Sequence, residues 1–232
     1  MNAQQFDAAI VDLDGTMVDT QGDFVAALNA MLTDLALPHV DRAFVSLTVG
    51  KGSEYLVART LERAGDGLGR YTLAFDRYQH HYAGINGEFS DVFEGVEAGL
   101  RRLRDRGLRL ACLTNKPTVF ARALLQKKGL AGYFDQVFGG DAFARKKPDP
   151  LPLIETCRAL GSVPARTLMV GDSSNDAQAA RAAGCPVVLV SYGYNHGEPV
   201  YGVDADGVVD RIDQLFSDVA HELPAHPRRP AT

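Results

Sequence analysis

The feature that most constrains the fold of this chain is a series of short apolar runs, each of which stops at polar residues or glycine. The runs cover residues 6–11, 108–114, 134–139, 167–172, 186–191 and 206–210. Apolar runs of this length are typical of strands that are buried on both faces of a parallel sheet, and they are too short for buried helices.

Segments of helical spacing lie between these runs. The segments are 95–106, 118–128 and 151–160, and they are followed by Gly107, Gly129 and Gly161. Glycine is the usual residue just after a helix, where the backbone turns left-handed. The alternation of strand and helix predicts an α/β fold built on an open parallel sheet.

Residues 18–87 interrupt the alternation. They hold three successive apolar stripes of helical spacing with no strand between them, and these stripes begin at Phe24, Val57 and Tyr71. The flanking segments 15–23 and 84–95 are rich in Gly, Asp and Asn, as connections are. We therefore expect a helical insertion after the first strand.

The length of the chain fits this division. At roughly 150 residues per domain, 232 residues make about one and a half domains. We expect a core of residues 1–17 and 88–232 and a helical domain of residues 18–87. Residues 223–232 hold three prolines and no periodic pattern, which predicts a flexible tail.

Composition excludes several classes of protein. The formal net charge is −5, which argues against a nucleic-acid-binding face. The three cysteines are scattered without CxxC spacing, as expected for reduced thiols in the cytoplasm. No apolar run approaches 18 residues, and no basic segment precedes an apolar one at the N-terminus, so we expect neither a membrane span nor a secretory signal.

Two acidic residues follow the first predicted strand. Asp12 and Asp14 are two positions apart, which directs both side chains to the same side of the chain. Ligands of open α/β sheets bind at the carboxyl ends of the strands, where this pair is expected. Two carboxylates so close together favour a protonated carboxyl or a bound cation such as Mg²⁺. An Asp-rich turn that caps a helix is the alternative interpretation.

Polar residues follow three further runs or helices. Thr114 and Asn115 end the second run ahead of a helix, which suits a phosphate. Lys147 precedes a proline, and Asp172 and Asp176 flank the start of another helix. Taken alone, Thr114 and Asn115 are better explained by an ordinary helix cap, and Lys147 by a solvated lysine. Their joint order, an acidic pair, Thr, Lys and a second acidic pair, is far more specific.

With these motifs in view, the chain resembles the haloacid dehalogenase superfamily, and among its members the phosphatases with a helical cap. The matching motifs are DLDGT at 12–16, LTN at 113–115, KP at 147–148 and GDSSND at 171–176. Segments 146–153 and 191–199 are similar to phosphoglycolate phosphatases. The resemblance implies a Rossmann-like core of three layers and a cap that closes over the site.

The resemblance also implies roles for the site residues. Asp12 would attack phosphorus and form an aspartyl-phosphate, and Asp14 would protonate the leaving group and then activate water. Mg²⁺ would be bound by the Asp12 side chain, the Asp14 carbonyl and Asp172, with Asp176 close by. The phosphoryl oxygens would be held by Thr114, Lys147 and the backbone N–H groups of Leu13 and Asn115.

The expected reaction is hydrolysis of 2-phosphoglycolate, a small phosphate ester, by a monomer or homodimer. Other small phosphomonoesters, such as a sugar phosphate, and a phosphoglucomutase-like phosphotransfer remain alternatives. We further hypothesise that Lys51, within Gly50–Ser53 at the start of a cap helix, binds the substrate carboxylate. A flexible Gly-rich connection is the other interpretation of that segment.

Overall fold

The computed structural model describes residues 5–216, and eight strands and eight helices account for most of them. The strands are β1 (Ala8–Val11), β2 (Val18–Asp19), β3 (Asp91–Val92), β4 (Arg109–Leu113), β5 (Gln136–Phe138), β6 (Thr167–Gly171), β7 (Val187–Val190) and β8 (Gly207–Val209). The helices are α1 (Gln21–Asp34), α2 (Arg42–Thr48), α3 (Ser53–Arg63), α4 (Tyr71–Ile85), α5 (Val96–Asp105), α6 (Thr118–Lys127), α7 (Leu151–Ala159) and α8 (Ser174–Ala183).

Six strands form one sheet in the order β5-β4-β1-β6-β7-β8, and all of their pairings are parallel. Residues of β1 alternate between the two faces. Ala9 and Val11 pack with residues of α5 and α6, whereas Ala8 and Ile10 pack with residues of α7 and α8. Each of these four side chains is fully buried. The chain therefore has the three-layer α/β architecture predicted from its sequence.

The predicted strands and core helices are confirmed. All six sheet strands lie within the six apolar runs, and α5, α6 and α7 lie within the three helical segments. Gly107, Gly129 and Gly161 follow these helices with φ of 82°, 72° and 61°, the left-handed conformation expected there. The three cysteines are buried thiols without a disulfide.

Four helices, not the three expected, make up the segment between β2 and β3. The additional helix is α2, which begins after Asp41, whose carboxylate accepts a hydrogen bond from the Phe44 N–H at 2.8 Å. Its seven residues are too few to show a helical apolar stripe, so the periodicity did not reveal it. The four helices share a hydrophobic cluster that is separate from the two clusters on the sheet.

The chain leaves the sheet for these helices and returns to it at one place. Strands β2 and β3 pair there as an antiparallel ribbon. Asp23, fully buried in α1, accepts the N–H groups of Gly87 and Phe89 at 2.7 Å each. One carboxylate thus ties the returning segment to the first helix. The exact division at 17/18 and 87/88 stays a prediction, and the predicted tail 223–232 lies outside the described residues.

Candidate active site

The candidate site lies beyond the carboxyl ends of three neighbouring strands. Strand β1 pairs with β4 on one side and β6 on the other, and Val11 is in register with Cys112 and Val170. The residues that follow the three strands are therefore brought to one edge of the sheet. They include Asp12 after β1 and Asp172 after β6, both of which are buried.

Lys147 lies at the centre of this edge, with a side chain that is 2% exposed. Its Nζ is 3.0 Å from Oδ1 of Asp12 and 2.7 Å from Oδ1 of Asp176, and it donates to the Leu113 carbonyl at 2.9 Å. Asn115 accepts from the Lys147 N–H and donates to its carbonyl, at 3.0 and 2.8 Å. Burial opposes the charge of Lys147, but the two carboxylates hold its pKa above the ordinary value.

Asp12, Asp172 and Asp176 form a buried acidic cluster, and one oxygen from each lies within 4.8 Å of the others. Burial and the neighbouring Asp176 raise the pKa of Asp12 to about 7, against the opposing charge of Lys147. Burial and the carboxylates of Asp176 and Asp12 raise the pKa of Asp172 well above its usual range. At Asp12 and Asp172, burial and the repulsion between carboxylates thus outweigh the single ammonium of Lys147.

A hard divalent cation fits this cluster. Its donors are carboxylate oxygens, the ligands that Mg²⁺ prefers. Oδ1 of Asp12 is buried 3.0 Å from Nζ of Lys147 and, among residues 5–216, has no other hydrogen-bond partner. A cation is the group that would satisfy such an oxygen.

The other two carboxylates are held by their surroundings. Asp172 accepts from the Tyr194 N–H at 2.6 Å and from the Thr16 hydroxyl at 3.3 Å. Oδ2 of Asp176 accepts from the Asp172 and Ser173 N–H groups and from the Ser173 hydroxyl, in a capping box that begins α8. Because Lys147 engages its other oxygen, Asp176 is better placed to fix Lys147 than to bind a cation directly.

Asp14 is not a member of the acidic cluster. Its Oδ1 accepts from Nζ of Lys116 at 2.8 Å, and both side chains are less than a tenth exposed. The ammonium of Lys116 lies 4.5 Å from the ring centroid of Phe24 and 4.9 Å from that of Tyr82. Sequence analysis missed Lys116, because a lysine between Asn115 and a proline gives no sign that its side chain is buried.

A cavity of about 430 Å³, open mouth included, lies between the sheet edge and helices α1 to α4. The sheet side of the lining consists of Asp12, Asp14, Thr114, Asn115 and Lys116. The helical side consists of Phe24, Val49, Gly50, Gly52, Ser53, Leu56, Tyr78 and Tyr82. The lining is thus charged on one side and mostly apolar on the other.

The Gly50–Ser53 segment reaches the cavity, but Lys51 does not. The Gly50 carbonyl accepts from the side-chain amides of Asn115 and Asn175, at 2.9 and 3.3 Å. Lys51 is exposed, and its Nζ lies 5.1 Å from the centroid of the Tyr55 ring. The hypothesis that Lys51 binds substrate stays untested, and the structure does not place its side chain against the cavity.

The remaining predicted residues meet at the site. These are Asp12, Asp14, Thr114, Asn115, Lys147, Asp172 and Asp176, all of them buried or nearly so. Together they bring a candidate nucleophile, a candidate acid and base, hydrogen-bond donors and a candidate cation site to one edge of the sheet. That combination suits transfer of a phosphoryl group, which depends on positioning and charge neutralisation.

Comparison with known proteins gives the same picture. The pattern of a family described as haloacid dehalogenase-like hydrolase matches residues 6–184. A phosphoglycolate phosphatase from Thiobacillus denitrificans is 42% identical over 208 residues, which are 88% of this chain and 92% of that protein. A plasmid-encoded phosphoglycolate phosphatase from Cupriavidus necator is 44% identical over 211 residues, 90% of each chain.

Solved structures agree in fold. The crystal structure of a predicted phosphoglycolate phosphatase from Haemophilus somnus 129pt has a TM-score of 0.85 and 32% identity to this chain. The match covers 91% of this chain and 96% of that one. It therefore includes both the sheet and the helices that enclose the cavity.

Proposed function

This chain belongs to the haloacid dehalogenase-like hydrolases, and on that premise we propose that it hydrolyses 2-phosphoglycolate to glycolate and phosphate. The observation that carries the proposal is the pairing of two buried carboxylates, Asp12 and Asp14, with two buried lysines, Lys147 and Lys116. Relatives named phosphoglycolate phosphatase that align over nine-tenths of the chain support the choice of substrate.

In the first step a carboxylate oxygen of Asp12 attacks phosphorus. The new bond makes an acyl phosphate as the bond from phosphorus to the ester oxygen breaks. The leaving alkoxide takes a proton from the carboxyl group of Asp14 and departs as glycolate. Lys147, 3.0 Å from Asp12, orients the attacking side chain and offers positive charge to the phosphoryl oxygens.

In the second step Asp14, now a carboxylate, removes a proton from a water molecule. The hydroxide oxygen bonds to phosphorus, and the bond from phosphorus to Asp12 breaks. Inorganic phosphate leaves, Asp14 carries the proton again and Asp12 is restored. The sum is one ester and one water converted to one alcohol and one phosphate.

Charge on the phosphoryl group is shared among several partners. The Thr114 hydroxyl and the backbone N–H groups of Leu13 and Asn115 would donate to its oxygens, with Lys147 beside them. Mg²⁺, bound by Asp12, Asp172 and the Asp14 carbonyl with Asp176 nearby, would neutralise further negative charge there. Both kinds of partner are needed because the transferring group carries several negative charges.

Helices α1 to α4 would act as a cap over the reaction. The aromatic and aliphatic groups that they contribute to the cavity would keep bulk water away from the reacting groups, apart from the one water that Asp14 activates, and would strengthen the charge interactions beneath. Opening of this cap would admit substrate and release products. We place the enzyme in the cytoplasm because its cysteines are buried thiols. We expect a monomer or a homodimer, and light scattering on the purified protein distinguishes the two.

The test is phosphate release from a panel of small esters, with Mg²⁺ and after removal of metal by a chelator. We expect turnover only with Mg²⁺, and the highest kcat/KM on 2-phosphoglycolate. A sugar phosphate that is hydrolysed faster would assign the same chemistry to another substrate. Failure to release phosphate from every ester would overturn the enzymatic proposal itself.

A further inference from the structure

The ammonium of Lys116 has more hydrogen-bond donors than partners. It carries three N–H groups, and within residues 5–216 only Oδ1 of Asp14 accepts from it. Its remaining surroundings are the rings of Phe24 and Tyr82, which stabilise the charge but accept no conventional hydrogen bond. A lysine side chain that is 2% exposed and has unused donors can hold a second anion.

A second polar group on the same cavity is also unused. Tyr82 is 1% exposed and lines the cavity, and its hydroxyl forms no hydrogen bond in the described part of the chain. A buried hydroxyl without a partner costs free energy unless something binds to it. Lys116 and Tyr82 therefore offer two donors to a ligand that enters the cavity.

No other cation is as well placed. Among the described residues that line the cavity, Lys116 is the only one with a positive side chain. Lys147 is already engaged by two carboxylates and a carbonyl, and Lys51 is exposed beside Tyr55. An anionic group of the substrate other than its phosphate would find its partner at Lys116.

The chemistry of the substrate points to the same place. In 2-phosphoglycolate a single carbon separates the carboxylate from the ester oxygen. When phosphorus faces Asp12 and the ester oxygen faces Asp14, the carboxylate lies within reach of a group that touches Asp14. We propose that Lys116, assisted by the Tyr82 hydroxyl, binds the substrate carboxylate and selects small phosphate esters that carry one. This inference rests on the proposed function.

The test compares two phosphate esters of similar size, 2-phosphoglycolate and 2-hydroxyethyl phosphate, which carries a neutral hydroxymethyl group in place of the carboxylate. Lys116→Met keeps the length of the side chain and removes its charge. Both substrates lose rate when Asp14 loses its partner, but 2-phosphoglycolate should lose about 30-fold more in kcat/KM, mainly through KM, because a charge-assisted hydrogen bond disappears. Tyr82→Phe keeps the ring and should lose about fivefold, again only on 2-phosphoglycolate.

Lys127→Met is the matched control, since Lys127 is an exposed lysine of α6 that pairs with Glu88, and it should leave both rates within about twofold. Equal losses on the two substrates in Lys116→Met and in Tyr82→Phe would overturn the inference. If Lys116→Met fails to fold, as judged by circular dichroism, Tyr82→Phe decides the outcome alone. A wild-type enzyme that hydrolyses other esters but not 2-phosphoglycolate would instead refute the proposed substrate.

Discussion

The two sides of the cavity are lined by different kinds of side chain. The sheet side is made of carboxylates, lysines and amides that bind one another, and its loops leave no spare room. Gly15 shows this: its φ is 82°, and a Cβ there would lie 2.3 Å from Oδ2 of Asp172. The helical side presents mainly rings, aliphatic groups and backbone, with little charge of its own.

Apart from Lys116, this difference places the residues that carry out the chemistry on one side of the cavity and those that fit its shape to a substrate on the other. A charged site works only when each carboxylate and ammonium has a fixed partner, so the sheet side tolerates little change. An apolar surface tolerates substitution as long as its volume is conserved, so the helical side is free to adapt to substrates. Lys116 joins the two, because it binds Asp14 below and lies against Phe24 and Tyr82 above.

The largest effect is expected for Asp12→Asn, on the sheet side. The amide lacks the carboxylate oxygen that attacks phosphorus, so kcat should fall at least about 10⁴-fold. Phosphate release under saturating 2-phosphoglycolate measures it. Asp7→Asn is the matched control, because Asp7 lies at the opposite end of the same strand, in an exposed pair with Arg166. The activity of this variant should be unchanged. Substantial activity in Asp12→Asn would mean that the nucleophile is a different residue.

A smaller effect, with a diagnostic pattern, is expected for Asp14→Asn. Loss of a general acid costs most when the leaving group is basic, so we expect about 10³-fold loss of kcat/KM on 2-phosphoglycolate. With p-nitrophenyl phosphate, whose leaving group needs no proton, the rate of the first step should fall only about tenfold. The assignment of Asp14 as the acid is wrong if both substrates slow by the same factor.

The two sides also differ in how far the sequence predicts them. The acidic and polar residues at the strand ends were found because parallel strands place their carboxyl ends at one edge, a rule that needs only the order of elements. The role of Lys116 and the exposure of Lys51 depend on how the helices lie on that edge. Packing between separate elements sets those positions, and the spacing of residues within one element does not predict that packing. Helix α2 was missed for a related reason, since its seven residues owe their helix to the Asp41 cap.

A substitution of Asp23 tests whether the segment that returns from the helices to the sheet depends on its hydrogen bonds to α1. Its carboxylate accepts two backbone N–H groups of the returning segment, at Gly87 and Phe89. Asp23→Asn replaces one acceptor oxygen by a donor, and should lower the free energy of unfolding by about 2–3 kcal/mol in urea titrations. Asp34→Asn, at the exposed end of the same helix, removes only a solvent-exposed pair with His81 and should change it by less than about 1 kcal/mol. Equal stability of the two variants would show that the connection does not depend on Asp23.

The smallest effect is expected where the two sides meet at the surface. Glu54 of α3 accepts from Lys146 at 2.7 Å, and the side chains are 57% and 34% exposed. Pairs this exposed contribute about 0.2–1 kcal/mol, so Glu54→Gln should change kcat/KM by less than about twofold.

The pH dependence of that small effect is a sharper test. Burial alone would raise the pKa of Glu54, but the hydrogen bond from Lys146 holds it below the ordinary value. A lowered pKa means that the folded state favours the carboxylate, so the pair stabilises the protein at neutral pH and ceases to do so as acid protonates Glu54. The stability difference between wild type and Glu54→Gln should thus vanish in acid.

Glu62→Gln removes a comparable pair with Arg59 inside α3 and controls for loss of charge alone. A many-fold loss of activity in Glu54→Gln, absent from Glu62→Gln, would mean that surface charge, and not the buried lining, holds the helices over the site.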